Sequence, residues 1–203
     1  MERADTATRG KILDAALELF ANRGYSGTSV QDIVGIARVT KPVLYYYFRN
    51  KSDLYQALVD KAHDERHRVM SEAADAGRDV ETKLVGIVTS LFKFLQGHRN
   101  LVGIVFATTF AARDELPREI QYLEKARRNF EVVQDIVRDG QADGSLSDEF
   151  DAEELARGIW GMMSMQIMAE LVTPGVPLNQ KKAASIVRLF LHGAASKPGR
   201  GPK

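Results

Sequence analysis

Residues 28–51 read TSVQDIVGIARVTKPVLYYYFRNK, and this stretch decides the fold. Apolar residues spaced three and four apart predict a short helix over residues 29–36. A turn of three residues, 38–40, precedes a second helix over residues 41–47. Pro42 is tolerated in the first turn of that helix, because the N–H groups there have no helical partner. Two helices joined by a tight turn are the layout of a helix-turn-helix, whose second helix enters the major groove of DNA.

The side chains of the second helix divide into an inner and an outer set. Leu44 and Phe48 lie four residues apart and are expected to face inward together. The three successive tyrosines between them cannot all be buried on one helix, so at least two must project outward. Hydroxyls on rigid arms are good ligands for DNA phosphates. We therefore expect phosphate contacts from three residues: Tyr45, Tyr46 and Tyr47.

The first turn of the second helix offers groups that suit base recognition. Thr40 is a candidate N-cap, Lys41 can donate to guanine acceptors, and the methyl groups of Val43 can meet a thymine methyl. The preceding helix opens with Thr28 and Ser29, one of which is its N-cap. Free N–H groups and a hydroxyl at that position suit a phosphate. Further positive charge follows the second helix, at Lys51.

The N-terminal part of the sequence resembles a known protein family. The sequence is similar to the DNA-binding domain of the TetR family of bacterial transcriptional regulators. The similarity lies in a first helix followed by three motifs: G-Y-x-x-T-S, D-I-V-x-I-A and V-T-K-x-x-L-Y-Y-Y-F-x-N-K-x-D-L. The resemblance covers residues 8–58 and is carried by Gly24, Tyr25, Thr28, Ile33, Ala37, Leu44, Tyr45, Phe48, Lys51 and Leu54.

The resemblance implies a homodimeric repressor, less often an activator, whose C-terminal domain binds a small molecule that weakens operator binding. It implies base or phosphate contacts for Thr40, Lys41, Pro42, Val43, Tyr45, Tyr46, Tyr47 and Lys51. Pro42 stands where the family most often has Gly or Ala, which leaves the individual base contacts open.

Composition narrows the class of protein. The chain has 203 residues with 28 basic and 27 acidic side chains, a net charge of +1. Residues 1–51 hold eight basic and five acidic residues and net +3, whereas residues 52–203 net −2. A basic head on a mildly acidic body is a weak indication of nucleic-acid contact. The absence of cysteine excludes disulfides, thiolate metal sites and a Cys nucleophile.

Signals for other classes of protein are lacking. No stretch reaches the roughly 18 apolar residues that a membrane span needs, and no secretory leader opens the chain, so we expect a cytoplasmic protein. No signature of catalysis or of a cofactor site stands out, so we expect neither an enzyme nor a bound cofactor. His63 and His67 lie at metal-ligand spacing but lack the H-E-x-x-H arrangement. We interpret them as exposed histidines on a charged helix and expect no metal.

The rest of the chain predicts an all-α fold of about nine helices. They are expected over residues 8–23, 29–36, 41–47, 52–76, 80–96, 100–112, 117–139, 152–172 and 179–196. We assign residues 1–51 to a helix-turn-helix DNA-binding domain and residues 52–196 to a ligand-binding and dimerisation domain. Residues 197–203 form a basic tail that we expect to be disordered.

The last two helices point to a homodimer. Residues 158–172 are apolar nearly all round, and the helix over 179–196 keeps only a narrow polar stripe. Such helices must be covered on both sides. A second copy is the simplest cover, and its two-fold symmetry predicts a near-palindromic operator with half-sites roughly 34–36 Å apart. Candidate interface residues are Ile159, Met162, Ile186, Phe190 and Gly193.

Bulky apolar residues in the same domain are candidates for a ligand pocket, although plain core is the commoner role for any one of them. Four methionines within residues 162–168 suit an adaptable pocket. The candidates are Phe92, Phe106, Phe110, Tyr122, Trp160, Met163 and Gln166. They favour a small hydrophobic ligand, aromatic or amphipathic.

Three alternatives stay open. The protein is an activator, or a DNA binder without a ligand, or a non-DNA protein, namely an all-helical small-molecule binder or enzyme that merely contains a helix-turn-helix. The last alternative predicts an activity that survives deletion of residues 1–51 and no salt-sensitive DNA binding.

Overall fold

The computed structural model describes residues 2–112 and 115–193, and these residues form nine α-helices and no strand. The prediction of an all-α fold is confirmed. The helices are α1 (Glu2–Arg23), α2 (Val30–Ala37), α3 (Lys41–Tyr47), α4 (Lys51–Ala76), α5 (Val80–Gly97), α6 (Arg99–Thr109), α7 (Leu123–Ala142), α8 (Ala152–Val172) and α9 (Gln180–His192). None of these helices is long and apolar enough to cross a membrane.

The chain divides into two compact units by its internal contacts. Of the described residues, the first unit contains 2–67, 94–112 and 115–128, and the second contains 68–93 and 129–193. Helices α4, α5 and α7 each contribute residues to both units. The units are defined by packing alone, so the functional boundary at residue 51 stays a prediction.

The core of the first unit follows the apolar spacing of α1. The residues expected on the inner side of α1 are all buried, namely Ile12, Ala15, Ala16, Leu19 and Phe20. They share one cluster with buried residues of α2, α3 and α4, including Ile33, Leu44 and Leu54. Gly24 follows α1 with φ +71°, a left-handed conformation that glycine adopts without strain, and so ends the helix.

Two helices whose first residues lie in the first unit begin elsewhere than the sequence predicts. Helix α1 begins at Glu2 rather than at residue 8, and its first turns are held by the Tyr47 hydroxyl, which donates to the Asp5 carboxylate. Helix α7 begins at Leu123 rather than at residue 117. The side chain of Gln56 bonds both the backbone N–H and the backbone C=O of Gln121, at 2.8 Å each. A tertiary contact therefore takes the backbone groups that a helix through Gln121 would use.

The ends of two other helices also differ. Helix α6 ends at Thr109, three residues earlier than predicted. Helix α9 ends at His192, with Gly193 as its C-cap. The predicted continuation to residue 196 and the basic tail lie outside the described residues.

The second unit is a packed helical core. Buried residues come from the end of α7 and from α8 and α9, including Val137, Ile159, Met163 and Val187. Gly140 is required by a close approach, since a Cβ there would lie 2.7 Å from Val80 Cγ2. These residues therefore hold the unit together and leave other side chains of α8 and α9 exposed.

Candidate nucleic-acid interface

The start of α2 is closed by its own side chains. Ser29 is the N-cap, and its hydroxyl oxygen accepts the Asp32 backbone N–H at 3.1 Å. In return, the Asp32 carboxylate accepts the Ser29 N–H at 3.1 Å and the Ser29 hydroxyl at 2.6 Å. These hydrogen bonds from Ser29 hold the pKa of Asp32 below its usual value. The arrangement is a capping box, which fixes the position of α2.

Thr28 is placed differently from the expectation that its side chain meets a phosphate. The residue is 2% exposed, and its hydroxyl donates to the Gly24 carbonyl at 2.9 Å. The hydroxyl therefore closes the turn between α1 and α2 and is not presented to a ligand.

The turn between α2 and α3 has the predicted three residues. Arg38 adopts a left-handed conformation, φ 53° and ψ 46°, and its N–H donates to the Val34 carbonyl. The N–H of Val39 reaches the same carbonyl at 3.1 Å. Thr40 is the N-cap of α3 by position, but its side chain makes no capping hydrogen bond. Its exposed hydroxyl thus remains available to an external partner.

Helix α3 presents a polar and aromatic surface on a buried apolar base. The predicted inner residues, Leu44 and Phe48, are 0% and 3% exposed. Tyr45 is 49% exposed and Tyr46 is 76% exposed, which confirms that two tyrosines project outward. The exposed set also includes Thr40, Lys41, Pro42 and Val43. We call these six exposed residues the recognition surface.

Tyr47 differs from the other two tyrosines. Its side chain is half-buried, and its hydroxyl donates to Asp5 Oδ1 at 2.5 Å. That hydrogen bond, with the nearby carboxylate charge, raises the pKa of Tyr47. The ring of Tyr46 packs edge-on against it, with centroids 5.0 Å apart. Tyr47 therefore supports the recognition surface from the side of α1.

Lys51 also has a different position from the one expected. Its Nζ donates to the carbonyl oxygens of Tyr25 and Thr28, at 2.9 Å each, and lies 4.1 Å from the centre of the Tyr25 ring. Burial lowers the pKa of this ammonium. Two of its three N–H donors are thus used to fasten the turn between α1 and α2 to the start of α4.

Two exposed arginines flank α3, and in the sequence they were evident only as positive charge. Arg38 precedes α3 and Arg49 follows it, and both side chains are exposed. Arg49 is 87% exposed and keeps a long ion pair of 3.4 Å with Asp53. The signal available in the sequence was their position at the two ends of the predicted second helix.

The residues predicted to line a ligand pocket fall in both units. In the first unit, Phe106 stacks on Phe110 with centroids 6.2 Å apart, and Phe110 is 67% exposed. Tyr122 lines a cavity of about 260 Å³ whose other lining residues are polar or charged. In the second unit, Phe92 and Met163 are each 1% exposed, while Trp160 and Gln166 are half-buried. A common pocket for these seven residues stays a prediction.

The predicted dimer residues divide into buried and accessible ones. Ile159 and Ile186 are 0% and 5% exposed and belong to the core of the second unit. Met162 and Phe190 are half-buried, and Gly193 is exposed. The exposed apolar residues of α8 and α9, which sequence reasoning did not single out, are Met165, Val172 and Leu189.

The interpretation of His63 as an exposed residue was wrong. It is 1% exposed, and its ring lies 6.4 Å from that of Tyr122 in a stacked arrangement. Burial, aided by the positive charges of Arg66 and Lys125, lowers the pKa of His63 to about 4. His67 is half-buried. Within the described ranges, no group of three or more His, Cys, Asp or Glu side chains is placed to hold a metal ion.

The fold and the recognition surface together define a helix-turn-helix protein of the all-α class. Comparison with known sequences agrees, because the pattern of the "Bacterial regulatory proteins, tetR family" matches residues 12–58. Residues 12–58 therefore form a DNA-binding domain of the TetR family, which confirms the resemblance seen in the sequence.

Relatives of known name or structure extend the likeness to nearly the whole chain. The HTH-type transcriptional repressor SCO4008 of Streptomyces coelicolor is 27% identical, over 90% of this chain and 95% of that protein. YttP of Bacillus subtilis, named a probable HTH-type transcriptional regulator, is 29% identical over 63% of each chain, less than two thirds of its length. The structure of the regulator FadR from Bacillus subtilis in complex with stearoyl-CoA has a TM-score of 0.77 and 21% identity, over 91% of this chain and 98% of that one.

Proposed function

We propose that this chain is a sequence-specific DNA-binding transcriptional regulator that acts in the cytoplasm and catalyses no reaction. The recognition surface carries the proposal, because six exposed residues are held on α3 by a buried base. Lys41 and Val43 supply a donor and methyl groups for base edges, and Tyr45 and Tyr46 supply hydroxyls for phosphates. Thr28 is left out of the proposed contact set because its hydroxyl already has a partner.

The test of this proposal separates DNA contact from folding. Lys41→Ala and Tyr45→Ala should each raise the Kd for the operator at least tenfold while leaving the Tm within about 2 °C, since both side chains are exposed. Lys61→Ala, at an exposed lysine of α4, is the matched control and should bind as the wild type does. Wild-type affinity in both surface variants would refute the site assignment.

We propose that the regulator is a homodimer built through α8 and α9. The exposed positions of α8 include Gly158, Gly161, Met165 and Val172, which are three, four and seven residues apart and so share one face. Two glycines allow close approach, and Met165 and Val172 are 59% and 77% exposed. Leu189 of α9 is 49% exposed. Such an apolar face is costly in water and suits a second copy of the same face.

The assembly is testable by sedimentation. Met165→Glu should shift the protein from dimer to monomer, because a charge would be buried without a partner in the interface. Leu123→Glu introduces the same charge at a residue of α7 that is 72% exposed and should leave the dimer intact. A dimer of Met165→Glu with wild-type stability would exclude this face.

We propose that the effector is an amphipathic acyl compound of the acyl-CoA type. The likeness to FadR in complex with stearoyl-CoA supports this class, as do the apolar residues of the predicted ligand-binding domain, residues 52–196. Trp160 is the single tryptophan of the chain, and its ring packs edge-on against Phe130 with centroids 5.7 Å apart. Its fluorescence should change when stearoyl-CoA binds, whereas free CoA should leave it unchanged. No response to stearoyl-CoA at concentrations up to its solubility would argue against the acyl class.

We propose that the ligand releases the protein from its operator, which makes it a repressor. Helix α4 begins directly after the helix-turn-helix and continues into the predicted ligand-binding domain, so a shift of α4 would alter the separation of the two recognition helices. Footprinting on the protein's own upstream DNA, with and without stearoyl-CoA, tests this mechanism. Protection that the ligand abolishes is expected. Protection that depends on the ligand would instead indicate an activator, and unchanged protection a DNA binder without a ligand.

A further inference from the structure

Arg38 has a backbone conformation that its side chain disfavours. Among residues 2–112 and 115–193 it is the one non-glycine residue with positive φ. Contact between Cβ and the backbone makes this region unfavourable for residues other than glycine and, to a lesser degree, asparagine. Helices most often end with glycine at such a position. The arginine is therefore retained at a steric cost that glycine would avoid.

No hydrogen bond or ion pair of the Arg38 side chain within residues 2–112 and 115–193 offsets this cost. The side chain is exposed, and its guanidinium makes no hydrogen bond or ion pair with any residue that the structure describes. It lines a groove of about 600 Å³ between α1 and the turn, where Asp14 and Glu18 also lie, yet neither acid is paired with it. Five N–H donors and a full charge are thus presented to solvent.

The position of Arg38 suggests what those donors meet. Only Val39 separates it from Thr40, the first residue of the recognition surface, and two steps along the chain span at most about 7 Å. The major groove is about 12 Å wide and is bordered by phosphates on both sides. A guanidinium that starts this close to a residue in the groove is within reach of the phosphates at its edge. Arginine forms bidentate, charge-assisted hydrogen bonds with phosphate.

We propose that Arg38 is a DNA-binding residue that contacts a backbone phosphate beside the half-site. The strained conformation is then a feature of the binding site, where such outliers concentrate. This inference rests on the proposed function, since it requires that α3 enters DNA. It adds a contact that the motif does not include, from the turn rather than from the recognition helix.

Arg38→Gly removes the guanidinium and the strain together. The Tm should stay unchanged or rise by up to about 3 °C, because relief of strain offsets the greater freedom of glycine in the unfolded chain. The Kd for the operator should rise about tenfold for each protomer that contacts the DNA, the effect of one lost charge-assisted hydrogen bond. The slope of log K against log salt should shrink by about 0.9 for each protomer, the value for one phosphate contact.

Two further variants separate the loss of the Arg38 charge from the change in backbone conformation and from a general loss of positive charge. Arg38→Asn tolerates the left-handed conformation without the charge and should repeat both DNA effects. Lys181→Gln removes the same charge from an exposed lysine of α9 and should change neither. Wild-type affinity and slope in Arg38→Gly, in a protein whose wild type binds the operator, would overturn this inference alone. Loss of affinity at one operator base pair with an unchanged slope would overturn it in favour of a guanine contact. A wild type without salt-sensitive operator binding would instead overturn the proposed function.

Discussion

Substitution of Lys51 can distinguish a structural role of its ammonium group from a role in contacting DNA. If the ammonium fastens the turn between α1 and α2 to α4, Lys51→Met should destabilise the fold. Methionine keeps the apolar stem of the side chain over the Tyr25 ring and removes the charge. The carbonyl oxygens of Tyr25 and Thr28 then lose hydrogen bonds of 2.9 Å each.

The size of the effect follows from those contacts. A hydrogen bond to a charged group contributes about 1.5–3 kcal/mol when buried. Lys51 is only half-buried, so the lower end applies, and water can partly replace the lost donor. The two bonds together then contribute about 2–3 kcal/mol. For a chain of this length each kcal/mol corresponds to about 2–4 °C, so the Tm should fall by about 5–10 °C.

Thermal unfolding followed by circular dichroism, at one fixed protein concentration, measures this fall. Lys61→Met changes an exposed lysine of the same helix and should move the Tm by no more than about 2 °C. An unchanged Tm in Lys51→Met, together with a salt slope of operator binding smaller by about 0.9 for each protomer, would show that the ammonium acts on a phosphate. That result would refute the structural role.

Three further predictions concern other parts of the first unit. Gln56→Ala removes the side chain that hydrogen-bonds both backbone groups of Gln121. It should lower the free energy of unfolding, measured in urea, by about 1–2 kcal/mol and speed tryptic cleavage at Arg118. Equal cleavage rates in the wild type and the variant would contradict this prediction. The pKa of His63 is about 4 in the folded protein, below the ordinary value of 6.5. Between about pH 6.5 and pH 4, the imidazole of His63 is therefore protonated in the unfolded chain but not in the folded one. The wild type should therefore lose up to about 1.4 kcal/mol per pH unit relative to His63→Gln across that window, and parallel pH profiles of the two proteins would exclude this role. Tyr46→Ala should raise the operator Kd about tenfold with a Tm change below about 2 °C, since the side chain is 76% exposed; a large fall in Tm would mean that Tyr46 is structural.

The predictions that the structure confirms were based on patterns among residues close together in the sequence. Leu44 and Phe48 repeat at helical spacing, so their burial follows from the sequence alone, and the exposure of Tyr45 and Tyr46 follows from theirs. The turn over residues 38–40 was equally predictable, because helix ends leave marks within a few residues. These features depend on neighbours that are close along the chain.

Long-range contacts decided what the sequence did not. Lys51 reads as a basic residue after a recognition helix, and its role changes only because folding brings carbonyl oxygens from 23 and 26 residues away within reach of its ammonium. The start of α7 is displaced by Gln56, which is 65 residues distant from Gln121. The sequence by itself determined the all-α class, the helix-turn-helix and its outward face, since periodicity records which side of a helix meets the core. Only the tertiary structure decided which donors and acceptors are already used, because a hydrogen bond needs a partner whose distance along the chain carries no local signal.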